Sequence, residues 1–124
     1  MKILVVDDEE DVQVLFEQRF RKDIRDHKVE FAFAGSGEQA LSYLSHHQQE
    51  AVLILSDINM PGMSGLELLD RIKHSVYIPP PVVMMVTAYG SPEYYERAMQ
   101  LGADDFLTKP LDFSLLRQKL NMQN

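Results

Sequence analysis

Acidic residues follow two apolar segments of the chain at the point where each segment ends. Asp7 and Asp8 come directly after "KILVV" (2–6), and Asp57 follows "AVLILS" (51–56). If both segments are parallel strands, their carboxyl ends lie at one edge of a sheet, and the three carboxylates converge there. Packed carboxylates repel one another unless a cation joins them. Oxygen ligands without His or Cys favour a hard ion such as Mg²⁺ over zinc.

Two other apolar segments end in groups that suit phosphoryl chemistry. "VVMMVTA" (82–88) ends with the hydroxyl of Thr87, and "DFLT" (105–108) is followed by the ammonium group of Lys109. An ionised aspartate beside Mg²⁺ can act as a nucleophile toward phosphorus. Metal, ammonium and hydroxyl would then stabilise the oxygens of the transferred group. The residues alone therefore predict an Mg²⁺-dependent aspartyl-phosphate site.

Each of these residues also has an ordinary structural interpretation. Asp8 could be the N-cap of the first helix, and the acidic residues after it would complement the helix dipole. Asp57 could start a turn, because "DINMPGMSG" is rich in turn formers. Thr87 could be a plain strand residue and Lys109 a plain solvated one. These interpretations do not explain why all four residues converge, but the sequence alone leaves them open.

The elements that must position these residues alternate between strands and helices. The strand-like segments are residues 2–6, 29–34, 51–56, 82–88 and 105–108, and apolar residues at helical spacing lie between them. The first helical stripe comprises Val12, Leu15, Phe16 and Phe20. Glu30 interrupts the second strand and favours an edge position for it. The alternation predicts parallel strands with right-handed crossovers, hence a doubly wound α/β sandwich of five strands and five helices.

Local signals mark the ends of several of the five predicted helices. Ser36, with Gln39 three residues later, forms a capping-box pattern. Ser91 precedes a proline, which suits the first position of a helix, and Asp112 can cap the last helix. Gly102 follows the fourth apolar stripe as a C-terminal stop.

Length and composition exclude several classes of protein. The 124 residues, 45% of them hydrophobic, fit one domain of ordinary size. The chain has no cysteine, which excludes disulfides and thiolate metal sites and suits a cytoplasmic protein. The net charge of −7 argues against nucleic-acid binding by this domain. No apolar run approaches the roughly 18 residues of a membrane span, so no membrane contact is expected.

Four motifs resemble the receiver domain of bacterial two-component response regulators. They are "LVVDDEEDV" (4–12), "SDINMPGMSG" (56–65), "MMVTA" (84–88) and "GADDFLTKP" (102–110), in that order. The resemblance extends over essentially all of residues 1–124 and implies a single response regulatory domain. It also implies a flavodoxin-like, chemotaxis-regulator-like fold, whose five-stranded parallel sheet has the strand order 2-1-3-4-5.

The resemblance implies a role for each residue at the predicted sheet edge. Asp57 is similar to the phosphoacceptor of the family. Asp7 and Asp8 are similar to the acidic pair that holds Mg²⁺ together with Asp57 and the backbone carbonyl of Asn59. Thr87 is similar to the hydroxyl that bonds the phosphoryl group once it has arrived.

Residues within and directly after the fifth strand resemble the remaining parts of the receiver site. Lys109 is similar to the lysine that contacts the phosphoryl group, and Pro110 would follow a cis peptide bond. Phe106 occupies the position of an aromatic ring that turns inward when Thr87 moves toward the phosphate. From the pattern alone, Phe106 is better interpreted as a core aromatic, and the resemblance reverses that preference. Asn59 and Tyr89 lie where receivers tune the lifetime of the phosphoryl group.

The resemblance also implies partners. A histidine kinase or phosphotransfer protein would supply the phosphoryl group, and an output domain or downstream protein would respond. The responding surface would comprise the fourth predicted helix, the fifth strand and the fifth predicted helix. This surface is either a plain solvated face or a homodimer interface. The protein would then be no enzyme beyond its own phosphotransfer and autodephosphorylation.

Two other hypotheses account for the same residues less well. A dehalogenase-type phosphatase requires a second acid two residues after its nucleophile, and Asn59 stands there. An interaction module that kept the fold without the chemistry would be expected to have lost Asp57, Asp8 or Lys109, and all three are present.

Overall fold

A computed structural model describes residues 1–47, 50, 52–75, 80–88 and 92–122. Within these residues the strands are β1 (Lys2–Val6), β2 (Glu30–Ala34), β3 (Val52–Asp57), β4 (Val82–Thr87) and β5 (Asp105–Thr108). They form one parallel sheet in the order β2-β1-β3-β4-β5. The predicted strand order and the edge position of β2 are therefore confirmed. The predictions for Tyr89 and Ser91 lie outside the described residues.

Six helices occur in the described part of the chain, where five were predicted. They are α1 (Asp11–Arg19), α2 (Arg21–Arg25), α3 (Gly37–Ser45), α4 (Gly65–Lys73), α5 (Pro92–Gln100) and α6 (Phe113–Lys119). The additional helix arises at Phe20, which has φ −111° and ψ 21° and interrupts the first predicted helix. The Phe20 side chain is fully buried against Phe16 and Phe31. The helix is interrupted at the residue whose ring is held in the core. Helices α5 and α6 correspond to the fourth and fifth predicted helices.

The helices cover both faces of the sheet, as a doubly wound fold requires. One core contains Leu4 and Val6 of β1 and the apolar sides of α3, α4 and α5. The other contains Ile3 and Val5 of β1 and the apolar sides of α1, α2 and α6. Alternate strand residues therefore point into different cores, because successive side chains of a strand point to opposite faces. No described helix is long and apolar enough to cross a membrane.

Side-chain caps begin three of the helices. Ser36 Oγ accepts a hydrogen bond from the Gln39 backbone at 3.1 Å, and Asp112 Oδ1 accepts from two backbone N–H groups of α6, which confirms both predicted caps. Ser64 Oγ accepts from the Glu67 backbone at 3.2 Å, a cap that the sequence analysis missed although the S-x-x-E pattern is present. Gly102 follows α5 with φ +99°, which confirms the predicted helix stop.

Candidate functional site

Strand register brings the predicted site residues to one edge of the sheet. Val6 pairs with Ser56, so the residues that follow them, Asp7 and Asp57, are neighbours across β1 and β3. On the other side of β3, Thr87 pairs with Thr108 of β5, and Lys109 follows directly. The Lys109 backbone donates a hydrogen bond to the Thr87 carbonyl at 2.8 Å. The register of the parallel strands therefore brings the predicted site residues together at one edge of the sheet.

Three carboxylates form a compact cluster at this edge. One oxygen each of Asp7, Asp8 and Asp57 lies within 4.8 Å of the others. The side chains of Asp7 and Asp57 are both 7% exposed, whereas Asp8 is open to solvent. Asp8 does not cap the first helix, because α1 begins at Asp11 and its N-cap residue is Glu10. The capping interpretation of Asp8 is therefore wrong, and its carboxylate remains available to the cluster.

Lys109 is the cation that faces this cluster. Its Nζ lies 2.7 Å from Asp7 Oδ2, 3.1 Å from Asp57 Oδ2 and 3.6 Å from Glu9 Oε1. Burial opposes the charge of Lys109, but the hydrogen bonds to Asp7 and Asp57 outweigh it and raise the pKa of the ammonium group above its ordinary value. Lys109 therefore stays charged at every physiological pH and offsets part of the negative charge.

Asp57 is held where its negative charge is poorly solvated. Burial raises the pKa of the Asp57 carboxyl above its ordinary value, the nearby charge of Asp7 acts in the same direction, and the hydrogen bond from Lys109 opposes both. Asp57 Oδ1 also accepts a long hydrogen bond of 3.4 Å from the Asn59 backbone. One cation therefore does not compensate the site fully, which leaves a place for a second positive group.

Thr87 and Asn59 border the cluster on the β4 side. Thr87 is fully buried, and its Oγ1 accepts a hydrogen bond of 3.4 Å from Asn59 Nδ2. This places a hydroxyl and a side-chain amide beside the carboxylate of Asp57. The Asn59 side chain is an amide that cannot serve as a general acid.

Contacts that the sequence analysis missed fix the loop after Asp57. Gly65 N donates to the Ile58 carbonyl at 2.7 Å, and a Cβ atom on Gly65 would lie 1.9 Å from the Asp57 carbonyl oxygen. Glu38 Oε1 accepts a hydrogen bond from Met63 N at 3.2 Å. The backbone N–H groups of Glu38 itself and of Met63 lower the pKa of the Glu38 carboxyl. Gly65 ends the motif "SDINMPGMSG" (56–65), so its role in the loop could have been predicted from the sequence. No local sequence pattern indicated the role of Glu38.

Phe106 and Pro110 complete the set of predicted residues. The Phe106 ring is partly buried against the core of α3, α4 and α5, and it meets the Tyr95 ring edge to face with centroids 5.5 Å apart. Tyr95 is 50% exposed, so the ring pair lies at the surface between α5 and β5. The peptide bond between Lys109 and Pro110 is cis.

The chemistry of the donors decides which metal would fit the site. The cluster supplies carboxylate oxygens, and the Asn59 carbonyl follows in the adjacent loop. No histidine belongs to the group, and the chain has no cysteine. Hard oxygen donors on one solvent-open side suit Mg²⁺, which retains several waters and takes few carboxylates. The residues present therefore fit the metal that the sequence predicted.

The chain belongs to the response regulator receiver domain family, whose model matches residues 3–121. It is 35% identical over 120 residues to response regulator RppA of Synechocystis sp., an alignment that covers 97% of this chain and 49% of that protein. It is 33% identical over 116 residues to sporulation initiation phosphotransferase F of Bacillus subtilis, covering 94% and 87%. The solved structure of chemotaxis protein CheY4 of Vibrio cholerae, 27% identical, matches with a TM-score of 0.80 over 97% of this chain and 95% of that one.

These matches confirm both the predicted family and the predicted fold. The chain spans about half or less of several curated relatives, including 15% of the 3',5'-cyclic-nucleotide phosphodiesterase regA of Dictyostelium discoideum, to which it is 31% identical. The activities named for such relatives therefore describe longer proteins.

Proposed function

We propose that Asp57 accepts a phosphoryl group in the presence of Mg²⁺ and that the protein is a phosphorylation-controlled switch of a two-component system. The observation that carries this proposal is the convergence of Asp57 with two further carboxylates, Lys109 and Thr87 at one sheet edge. A cluster used only for structure would not need two carboxylate side chains 7% exposed beside a third that is open to solvent. A nucleophilic carboxylate that reacts with a charged phosphoryl donor requires both a poorly solvated carboxylate and a side of the site that is open to solvent.

The reaction would transfer a phosphoryl group from a phosphohistidine of a kinase or phosphotransfer protein. A carboxylate oxygen of Asp57 bonds to phosphorus as the P–N bond breaks, and the departing imidazole takes up a proton. Asp7, Asp8, Asp57 and the Asn59 carbonyl would hold Mg²⁺, which neutralises charge on the transferred oxygens. Lys109 already lies 3.1 Å from Asp57 Oδ2 and would contact a phosphoryl oxygen with little movement. Attack by water on the acyl phosphate later restores the carboxylate, and no other substrate is required.

Phosphorylation would change the contacts of Thr87. The new group adds about −1.5 to −2 charge at a position where one carboxylate was already poorly compensated. Thr87 Oγ1 would exchange the long contact with Asn59 for a phosphoryl oxygen, which opens space beside β5. Phe106 would turn into that space and leave the Tyr95 ring. A local charge would thereby bias a two-state arrangement of side chains.

The surface formed by α5, β5 and α6 would transmit this change. Phe106 lies on β5, and Lys119 of α6 forms an ion pair of 2.8 Å with Asp105 of the same strand. Because Phe106 and Asp105 are successive residues that point to opposite faces of the sheet, a shift of the β5 backbone would be transmitted to α5 through Phe106 and to α6 through Asp105. The responding partner would be an output domain, a downstream protein or a second copy of this chain.

Chemical phosphorylation tests the proposal directly. Wild-type protein incubated with Mg²⁺ and acetyl phosphate should gain the mass of one phosphoryl group, and Asp57→Asn should gain none. Asp26→Asn is the matched control, because Asp26 is an exposed residue at the end of α2 and should leave phosphorylation unchanged. An unmodified wild type, or equal modification of Asp57→Asn, would contradict the proposal.

A second measurement tests the switch separately from the acceptor. Beryllofluoride mimics the phosphoryl group, so its addition with Mg²⁺ should change the NMR environment of the Phe106 ring. The same addition to Asp57→Asn should leave that ring unchanged. An identical Phe106 signal with and without beryllofluoride, in protein that does bind it, would eliminate the switch while leaving the phosphoacceptor intact.

A further inference from the structure

A concave basic site lies between α1, α2 and α6. We define the basic pocket by its lining residues, which are Gln18, Arg19, Arg21, Lys22, Arg25 and Arg117. Its volume is about 310 Å³. Five of the 12 lysines and arginines of a chain with net charge −7 therefore line one cavity. Such a local excess of positive charge against an acidic background is the electrostatic signature of an anion site.

Two of the five cations are paired with carboxylates. Arg117 Nη2 lies 2.6 Å from Asp23 Oδ2, with side chains 16% and 8% exposed, so this pair is nearly buried. Arg25 Nε lies 3.4 Å from Asp26 Oδ1 in an exposed pair. These four residues contribute no net charge to the pocket. Asp23 nevertheless fixes the position of Arg117 in the lining of the pocket.

The other three cations have no such compensation. Within the described ranges, Arg19, Arg21 and Lys22 have no carboxylate oxygen within 4.0 Å. All three are exposed. Three positively charged side chains without a direct ion pair therefore line one cavity, so an anion that binds there does not have to displace a carboxylate.

Aromatic rings and a backbone group hold two of the arginines that line the pocket. The Arg19 guanidinium lies 5.3 Å from the centre of the Phe113 ring, and the Arg117 guanidinium lies 4.6 Å from the centre of the Phe20 ring. Arg117 Nη2 also donates to the Arg19 carbonyl at 3.0 Å. The ring contacts orient both guanidinium groups, and the contact with Phe113 leaves the charge of Arg19 uncompensated. Because the side chains are already oriented, less conformational entropy is lost when a ligand binds.

We propose that the basic pocket binds a small soluble molecule that bears a diphosphate group. Guanidinium groups match phosphate oxygens with two parallel hydrogen bonds, and three uncompensated cations call for a ligand with more than one negative charge. The cavity is of the size of a small-molecule site rather than an extended surface. A long polyanion would also meet the carboxylates that give the chain its charge of −7. The pocket belongs to the sheet face of α1, α2 and α6 and shares no lining residue with the carboxylate cluster.

Calorimetric titration with sodium pyrophosphate, at low salt and with metal ions removed, tests this proposal. Wild-type protein should bind one pyrophosphate with a dissociation constant below the millimolar range. Arg21→Glu/Lys22→Glu should weaken binding by about tenfold or more, because two charge-assisted contacts are replaced by repulsion. Both side chains are exposed and without a carboxylate partner, so the variant should keep its fold, which circular dichroism would verify. Arg97→Glu is the matched control, since Arg97 lies on α5 at the other face of the sheet.

NMR shifts and vesicles decide between the remaining outcomes. Pyrophosphate should shift the backbone amides of residues 18–25 and 117 and leave those of Asp7, Asp8 and Asp57 unchanged. Absence of binding at millimolar pyrophosphate, equal binding by the double variant, or shifts confined to the carboxylate cluster would each overturn the proposal. Wild-type protein that sediments with phosphatidylglycerol vesicles but does not bind pyrophosphate would identify a lipid surface as the source of phosphate and would also overturn it.

Discussion

The ion pair between Asp23 and Arg117 joins α2 to α6. The loss of stability on removing one partner can be predicted quantitatively. The two side chains are 8% and 16% exposed, and their closest atoms are 2.6 Å apart. Arg117→Met keeps the apolar stem over Phe20 but leaves the Asp23 carboxylate buried without a cation. We therefore expect this substitution to lower the free energy of unfolding far more than a typical surface change.

The magnitude follows from the burial of the pair. Removal of one partner from a buried ion pair costs about 3–5 kcal/mol, and the residual exposure of Arg117 favours the lower end, about 3 kcal/mol. Native proteins are stable by about 5–15 kcal/mol, so the loss is a substantial fraction of the total. The melting temperature should fall by about 10 °C. Arg25→Met is the matched control, because the Arg25–Asp26 pair is exposed and should contribute less than about 1 kcal/mol.

The pH dependence of the loss distinguishes this mechanism from a packing defect. The hydrogen bond from Arg117 lowers the pKa of Asp23 below its ordinary value of 3.8, although burial opposes it. The folded protein thus binds fewer protons than the unfolded chain. The stabilisation is therefore complete above the ordinary pKa of 3.8 and is lost as the pH falls from there through the lower pKa of the folded state. In Arg117→Met, burial alone would raise the pKa of Asp23, and protonation would relieve the penalty. The difference between wild type and variant should therefore shrink on acidification.

Urea unfolding followed by circular dichroism, at neutral pH and near pH 4, measures both effects. Asp23→Asn should cost less than Arg117→Met at neutral pH, because the arginine head can still donate to the Arg19 carbonyl and reach solvent through the basic pocket. A penalty for Arg117→Met below about 1 kcal/mol, or one of equal size at both pH values, would refute the assignment of a buried, energetically coupled pair.

Three other predictions concern the carboxylate cluster and the loop after it. Asp8→Ala should weaken Mg²⁺ binding at least about tenfold in a fluorescence or calorimetric titration, because one oxygen donor is lost; an unchanged affinity would contradict the metal assignment. Gly65→Ala should lower stability by about 2 kcal/mol or more in thermal melts, since its Cβ would overlap the Asp57 carbonyl; a wild-type melting temperature would contradict the geometry. Glu38→Ala should accelerate hydrogen exchange of the Met63 amide without Mg²⁺, whereas Glu38→Gln, which keeps an acceptor oxygen, should restore protection. Equal exchange in all three proteins would show that Glu38 does not hold the loop.

Local pattern was sufficient to predict the strands, several caps and the edge that carries the site. Strands buried on both faces produce continuous apolar runs, and Ser36 and Asp112 are caps whose partners lie within three residues. The same reasoning failed at Phe20, where the helical spacing continues but the chain turns. The burial of that ring against Phe16 and Phe31 decides the break, and the contact with a separate strand is not encoded in the local spacing.

The strands, the parallel topology and the identities of the carboxylates at the sheet edge could all be predicted from local sequence, because each depends on periodicity and on the residues that end a strand. Which distant side chains meet became visible only in the folded protein. The Asp23–Arg117 pair joins residues 94 positions apart, and the hydrogen bond between Glu38 and Met63 spans 25. The basic pocket likewise exists only because α6 packs beside the turn between α1 and α2. Contacts of this kind follow from how whole elements pack against one another, and no short stretch of sequence contains that information.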